Sequence, residues 1–228
     1  MRLTILMPCL NEEETLKASI QRAQMFYERN KNKFELFEIL ICDNGSTDAS
    51  LAIANRMSYV RTITETKIGY GSTLITGIQQ AKGDYVIFGD CDMSYDFADL
   101  DLFCQKLNEG YALVVGNRFA CMEPNAMSLS HKIGVKILSA LARYKYHSEI
   151  IDFHCGLRGL KKDSFLHAKC KCSGMEFATE LISIFEKNHE RVTNIPIHFY
   201  KDQRTGKSHL RTVQDGLRHL FYILSKGR

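Results

Sequence analysis

The sequence predicts an α/β fold, a Rossmann-like, mostly parallel sheet with helices on both faces. Three observations carry this. Strand-like and helix-like runs alternate through the first half of the 228 residues; the strand runs are apolar throughout rather than two-faced; and a polar cluster follows each of the first four. Strands are expected at "LTILMP" (3–8), "FEILIC" (37–42), "VRTITE" (60–65), "DYVIFGD" (84–90) and "ALVVGNR" (112–118). Between them, helical spacing covers 11–29, 49–57, 72–82 and 97–109. Asn11 is expected at the first N-cap, with Glu14 in the capping-box position. The second half is less regular: a helix over 129–145, a loop with a short strand over 150–165, a helix over 174–188, an alternating strand over 192–200, and an amphipathic helix over 209–226. With no repeat or Pro/Gly-rich linker, one domain over 1–228 is the economical reading.

Composition narrows the function classes. The last 28 residues hold seven Lys/Arg against two Asp, a charge of +5, whereas the preceding 200 hold 23 basic and 24 acidic residues. The basic excess is thus confined to one end, which argues against general nucleic-acid binding and for something acidic meeting that end. No run approaches the roughly eighteen apolar residues of a membrane span, and no signal peptide is expected. The eight cysteines show no framework spacing, and Cys170 and Cys172 form a lone C-x-C, so a reducing cytoplasm fits best.

In an open parallel sheet, ligands bind beyond the carboxyl ends of the strands. There lie "PCLNEEE", "DNGSTD", "KIGYGS" and "GDCDMSYD", one after each of the first four strands. The acids Asp90 and Asp92 end a buried strand, where an unpaired carboxylate is costly, so they mark either a solvated loop or a metal site. "GYGSTL" (69–74) fails as a dinucleotide fingerprint: its third glycine position is Leu74, and it follows the third strand. An NAD-dependent oxidoreductase is therefore a weak alternative. A helix-start turn near a ligand fits Gly69 and Gly71 better.

The blocks "MPCLNEEETL", "CDNGSTDAS", "KIGYGSTLITGIQQAKGDYVIFGDCDMSYDF", "DFHCGLRGLKKDSF", "GMEFATEL" and "RTGKSHLRTVQDGLRHL" resemble, in order, those of family 2 glycosyltransferases. They are most similar to the polyprenyl/dolichyl-phosphate sugar synthase branch. The resemblance spans nearly the whole chain. It implies a GT-A fold, a GDP- or UDP-hexose donor, Mg²⁺ or Mn²⁺, and inversion at the anomeric carbon. It makes Asp92 the leading metal ligand, with Asp90 a second ligand or a ribose partner, and Cys91 lies between them. Pro8, Leu10, Asn11 and Glu12 should border the nucleotide, and Asp43 should contact base or ribose. Asp48, Glu13 and Glu14 read as turn and helix-start acids. The chemistry agrees, because a leaving nucleoside diphosphate gathers negative charge that a hard cation on one or two carboxylates offsets.

On the acceptor side, the resemblance implies that Asp152 aligns the acceptor or takes its proton, with Arg118 and Arg158 as the candidates to place a phosphate. Cys155 stands where many relatives have Ser, and His154 reads as a packing or surface residue. Glu176 and Glu180 lie at i and i+4 on one helix, where both could face the site or Glu180 could face solvent. Arg204, Lys207 and Ser208 belong to a glycine-containing stretch that, by the resemblance, could close over the donor. The expected activity is hexose transfer to a polyprenyl phosphate at the cytoplasmic membrane face, by a peripheral protein or one with a membrane partner protein. The alternatives are addition to a hydroxyl of a growing glycan and, from a different class, a non-catalytic nucleotide-sugar-binding protein. Nucleic acid is not an expected partner.

Overall fold

The computed structural model describes residues 1–205 and 212–225. In chain order its elements are β1 (Arg2–Cys9), α1 (Leu16–Asn30), β2 (Leu36–Asp43), α2 (Ser50–Ala54), β3 (Val60–Thr64), α3 (Tyr70–Gln80), β4 (Tyr85–Phe88), α4 (Asp101–Asn108), β5 (Leu113–Met122), α5 (Leu129–Tyr146), β6 (Arg158–Lys161), α6 (Lys162–Ala168), α7 (Phe177–Lys187), β7 (Val192–Phe199) and α8 (Thr212–Ser225). The strands form one sheet in the order β3-β2-β1-β4-β6-β5-β7. All are parallel except β6, which is antiparallel to both neighbours. Leu3, Ile5, Leu6, Ile39, Leu40, Ile41, Val86, Ile87, Val114 and Val115 are wholly buried, as expected for strands covered by helices on both faces.

This topology builds the site. β1 pairs with β2 on one side and β4 on the other, so the connections diverge between β1 and β4 and open a crevice at their carboxyl ends. Cys9 is in register with Asp43, and Leu6 with Phe88, which brings the loops after β1, β2 and β4 to one edge. Reversed β6 begins at that same edge, where Arg158 is in register with Phe88 and Val115. The 150–157 loop therefore enters the crevice from the opposite chain direction.

Two sequence-based boundaries need correction. Helix α1 starts at Leu16 with Thr15 at its N-cap, not at Asn11, whose φ of 54° is left-handed. Tertiary bonds override the local capping signal. Asn11 Oδ1 accepts from the Thr47 amide, the Glu12 amide donates to Ser50 Oγ, and the Glu13 amide donates to Asp48. The helix expected over 97–109 is only α4, because residues 89–100 are turns that carry the acids. The helix expected over 209–226 is described over Thr212–Ser225. Among the described residues, no helix is long and apolar enough to cross a membrane, and no cysteine forms a disulfide.

Candidate active site

A cavity of about 790 Å³ runs along the carboxyl edge of the sheet. One end is walled by Pro8, Leu10, Glu12, Gly69, Tyr70, Asp90, Cys91 and Asp92, and the other by residues of α5, α7 and α8 together with Arg118, His154 and Arg158.

At the first end one guanidinium gathers several acids. Arg204 donates to Glu12 Oε1 at 2.8 Å, to Asp92 Oδ2 at 3.1 Å and to Asp202 at 3.0 Å. The other Asp92 oxygen accepts from the Ser94 amide and hydroxyl, at 3.0 and 2.5 Å. Asp90 stands beside the Tyr70 phenol. Burial, then the charge of Asp92, pushes its carboxyl up to about 7. Burial likewise raises Glu12 to about 7, against the lowering effect of Arg204. A Cβ at Gly156 would come 2.6 Å from Asp90 Oδ2, so glycine there lets the 150–157 loop approach the acid. Four carboxyl groups facing one guanidinium leave negative charge in excess. That donor set suits a divalent cation held by one or two carboxylates plus phosphate oxygens. Among the described residues, no three His, Cys, Asp or Glu side chains make a complete metal cage.

At the second end, Asp152 is fully buried and Arg118 nearly so. Arg118 Nε and Nη2 grip the two Asp152 oxygens at 2.7 and 2.8 Å. The carboxylate also accepts from the His154 amide, so it is occupied on both oxygens. Arg118 lines the cavity, whereas Asp152 sits behind it. Arg158 also touches the cavity, but its guanidinium donates to the carbonyls of Cys155, Ala178 and Phe153, tying the loop to α7. His154 and His219 meet edge to face at 4.3 Å; Nδ1 of the first faces Ser139 Oγ at 3.2 Å and Nδ1 of the second faces Thr179 Oγ1 at 2.8 Å. Burial holds both imidazoles neutral, lowering His154 strongly and His219 to about 4.

The other sequence-selected residues fall into place as follows. Asn11 lies outside the cavity wall, bound to the loop after β2. Asp43 is buried and accepts from the amides of Gly45 and Ser46, an Asx turn. Gly69 lines the cavity with φ 144°, whereas Gly71 lets α3 approach the Cys172 and Gly174 carbonyls. Glu176 is beside the cavity and accepts from the Gly174 amide, while Glu180 is buried and accepts from the amides of Lys171 and Cys172, away from the site. Lys207 and Ser208 lie outside the described residues. Sequence reasoning missed Asp202 and Tyr70 as partners of the acid cluster. It also missed Glu14, which fastens the Arg204 loop by accepting from the amide and hydroxyl of Thr205.

Residues 4–167 match the family model described as "Glycosyl transferase family 2". Among curated proteins, the chain is similar to the low-salt glycan biosynthesis hexosyltransferase of Haloferax volcanii, 28% identical over 97% of this chain and 53% of that protein. It is also similar to the glycosyltransferase AglJ of the same organism, 26% identical over 93% of this chain and 67% of that protein. The chain thus spans about half the length of the first relative and two-thirds of the second. Among solved structures, glucosyl-3-phosphoglycerate synthase from Mycobacterium tuberculosis, in complex with Mn²⁺ and uridine-diphosphate-glucose, superposes with a TM-score of 0.75 at 18% identity, over 98% of this chain and 78% of that one. At that identity the likeness establishes the shared fold.

Proposed function

The chain belongs to glycosyl transferase family 2, and from that premise we propose that it is an inverting, metal-dependent hexosyltransferase working from a GDP- or UDP-hexose to a polyprenyl phosphate. The observation that carries this reading is the acid excess around Arg204, at the crevice between β1 and β4. Bound there by Asp92 and Asp90, Mg²⁺ or Mn²⁺ would offset the charge that grows on the leaving diphosphate. Pro8, Leu10, Glu12, Gly69 and Cys91 border the nucleotide, with Asn11, Asp43 and Gly71 shaping the loops behind them. Arg204 holds the loop that also bears Lys207 and Ser208 in sequence. The relative named as a hexosyltransferase and the structural neighbour holding Mn²⁺ and a UDP-sugar support donor and metal alike.

The acceptor reading rests on the Arg118–Asp152 pair. A hydroxyl acceptor needs a general base, since its proton must leave during attack. A lipid phosphate is already an anion near neutral pH, with a second pKa of about 6, and needs cations instead. Asp152 is committed to Arg118 on both oxygens, so it positions that guanidinium rather than serving as a free base. Arg118 faces the cavity and places the acceptor phosphate; Arg158 adds charge and holds the loop; Glu176 borders the acceptor end. In this reading the chain works peripherally at the cytoplasmic membrane face, with residues 1–228 acting as one domain and no nucleic acid as partner.

The test is a panel of nucleotide sugars with a short polyprenyl phosphate or a neutral sugar alcohol, with and without chelator. Metal-dependent transfer to the phosphate is expected. Preference for the alcohol would install the glycan-hydroxyl alternative. Neither transfer nor donor hydrolysis would leave a non-catalytic binder.

A further inference from the structure

Two helices beyond the donor end carry apolar stripes on the side turned away from the core. In α5, Leu129, Ile133, Ile137, Leu141 and Tyr144 recur at helical spacing and are 43–85% exposed, while Val135, Ser139 and Ala142 on the opposite side are buried. In α8, Val213, Leu217, Phe221 and Leu224 are 60–78% exposed, opposite buried His219, Tyr222 and Ile223. The two helices pack on each other, and Lys145 Nζ donates to the Ile223 carbonyl. The nine exposed side chains therefore stand on two neighbouring, mutually packed helices. Single exposed apolar residues are ordinary, but a contiguous set with a polar border marks a contact.

The border says what kind. Helix α5 contains Lys132, Lys136, Arg143 and Lys145 and no acid. At 100° per residue, Lys136 and Arg143 fall on one flank of its stripe, and Lys145, on the other, is tied to the Ile223 carbonyl. The acid of α8, Asp215, is buried and pairs at 3.5 Å with the half-exposed Arg218, which adds no net charge, so the cations at the border are those of α5. An apolar face flanked by cations complements the headgroup boundary of an anionic bilayer, where Lys and Arg stems reach outward. The same helices wall the cavity from beneath, through Val135, Leu138, Arg218 and His219.

We propose that the joint α5/α8 face docks the protein on an anionic lipid surface, so that a lipid-borne phosphate enters the cavity between these helices without leaving the bilayer. The entry route rests on the lipid-acceptor reading above; the docking itself does not.

The test is sedimentation of the full chain with phosphatidylcholine vesicles, plain or with about one-third phosphatidylglycerol. Binding to the anionic vesicles is expected. It should fall roughly thirtyfold in Lys136→Gln/Arg143→Gln, at about fivefold for each cation removed, and at least about tenfold in Ile137→Ser/Phe221→Ser. None of these side chains belongs to the acid cluster or the Arg118 pair, so metal-dependent donor hydrolysis should stay unchanged and certify the fold. Negligible binding to both vesicles, or variants that bind like the parent, would overturn the proposal. So would a concentration-dependent dimer abolished by Ile137→Ser/Phe221→Ser, since a second copy would then occupy the face. Docking as expected together with preference for a neutral sugar alcohol would retain the surface and sink only the lipid-acceptor reading.

Discussion

Two arginines hold carboxylates at the same edge of the sheet, and the clusters are built on different terms. Arg204 stands among Glu12, Asp92 and Asp202, with Asp90 close by, so acids outnumber cations and come from loops far apart in sequence. Arg118 and Asp152 form a one-to-one, bidentate pair that is almost wholly buried, with only Arg118 reaching the cavity. The first cluster has charge to spare, which is why burial can hold Glu12 and Asp90 protonated up to about 7. The second is already neutral. An acid excess in a crevice can accommodate a cation and a diphosphate, whereas a closed pair is framework that orients one guanidinium. Reading both simply as buried charged residues would miss this division of labour.

The largest effect should come from cutting the closed pair. Arg118→Ala leaves Asp152 buried without its partner, at a cost of about 3–5 kcal/mol, read from urea unfolding. Replacing both members, Arg118→Met with Asp152→Leu, should recover most of that stability but no transfer to polyprenyl phosphate, because the cavity-facing guanidinium stays missing. An Arg118→Ala protein as stable as the parent would show that the pair is not closed, and the contrast between the clusters would fail.

Cutting the open cluster should do the reverse, with turnover falling and the fold surviving. Asp92→Asn should lower kcat about 10²- to 10³-fold, the range seen when one stabiliser of developing charge is removed. Its unfolding free energy should move by no more than about 1 kcal/mol, since Arg204 keeps Glu12 and Asp202. Excess chelator on the parent should bring turnover to a similar level. Normal kcat in this variant would detach Asp92 from the chemistry.

The parts of this division that were legible in the sequence are the local ones. Apolar strand runs and the polar clusters after them located the sheet edge, and Asp-x-Asp after a buried strand marked where the acids gather on it. The reversed direction of β6 was not legible, because four residues, "RGLK", carry no cue to the sense of pairing. The capping reading of Asn11 failed where the loop spends its hydrogen bonds on residues 46–50 instead. Glu12 and Arg204 meet across 192 positions, and no spacing rule reaches that far. The "DNGS" turn did announce itself, since an Asp accepting from amides two and three residues on is what such a turn requires. The amphipathic character of the helix expected over 209–226 was also readable from its spacing, though only exposure in the fold separates a docking face from a core face.

The smallest expected effect concerns acid, and it has opposite signs in the two regions. His219 is packed against His154 near Arg158, and burial followed by that charge lowers it to about 4. An unfolded histidine titrates near 6.5. Between about 6.5 and 4 the unfolded chain takes up a proton that the fold refuses, so this group's contribution is flat above pH 6.5 and falls as pH drops through that window. Glu12 and Asp90 behave in reverse. Their raised values make the fold retain protons that the unfolded chain has released, so their contribution shrinks as pH rises toward 7. The parent's profile mixes both slopes, and the difference between parent and variant separates them. His219→Gln should gain on the parent as pH falls from 7 to 5, by about 2 kcal/mol at pH 5, whereas Asp90→Asn should gain as pH rises from 5 to 7. Metal-free thermal unfolding across this range reads both. Parallel profiles for parent and His219→Gln would mean that the imidazole is solvated and that α8 does not seal that end of the cavity.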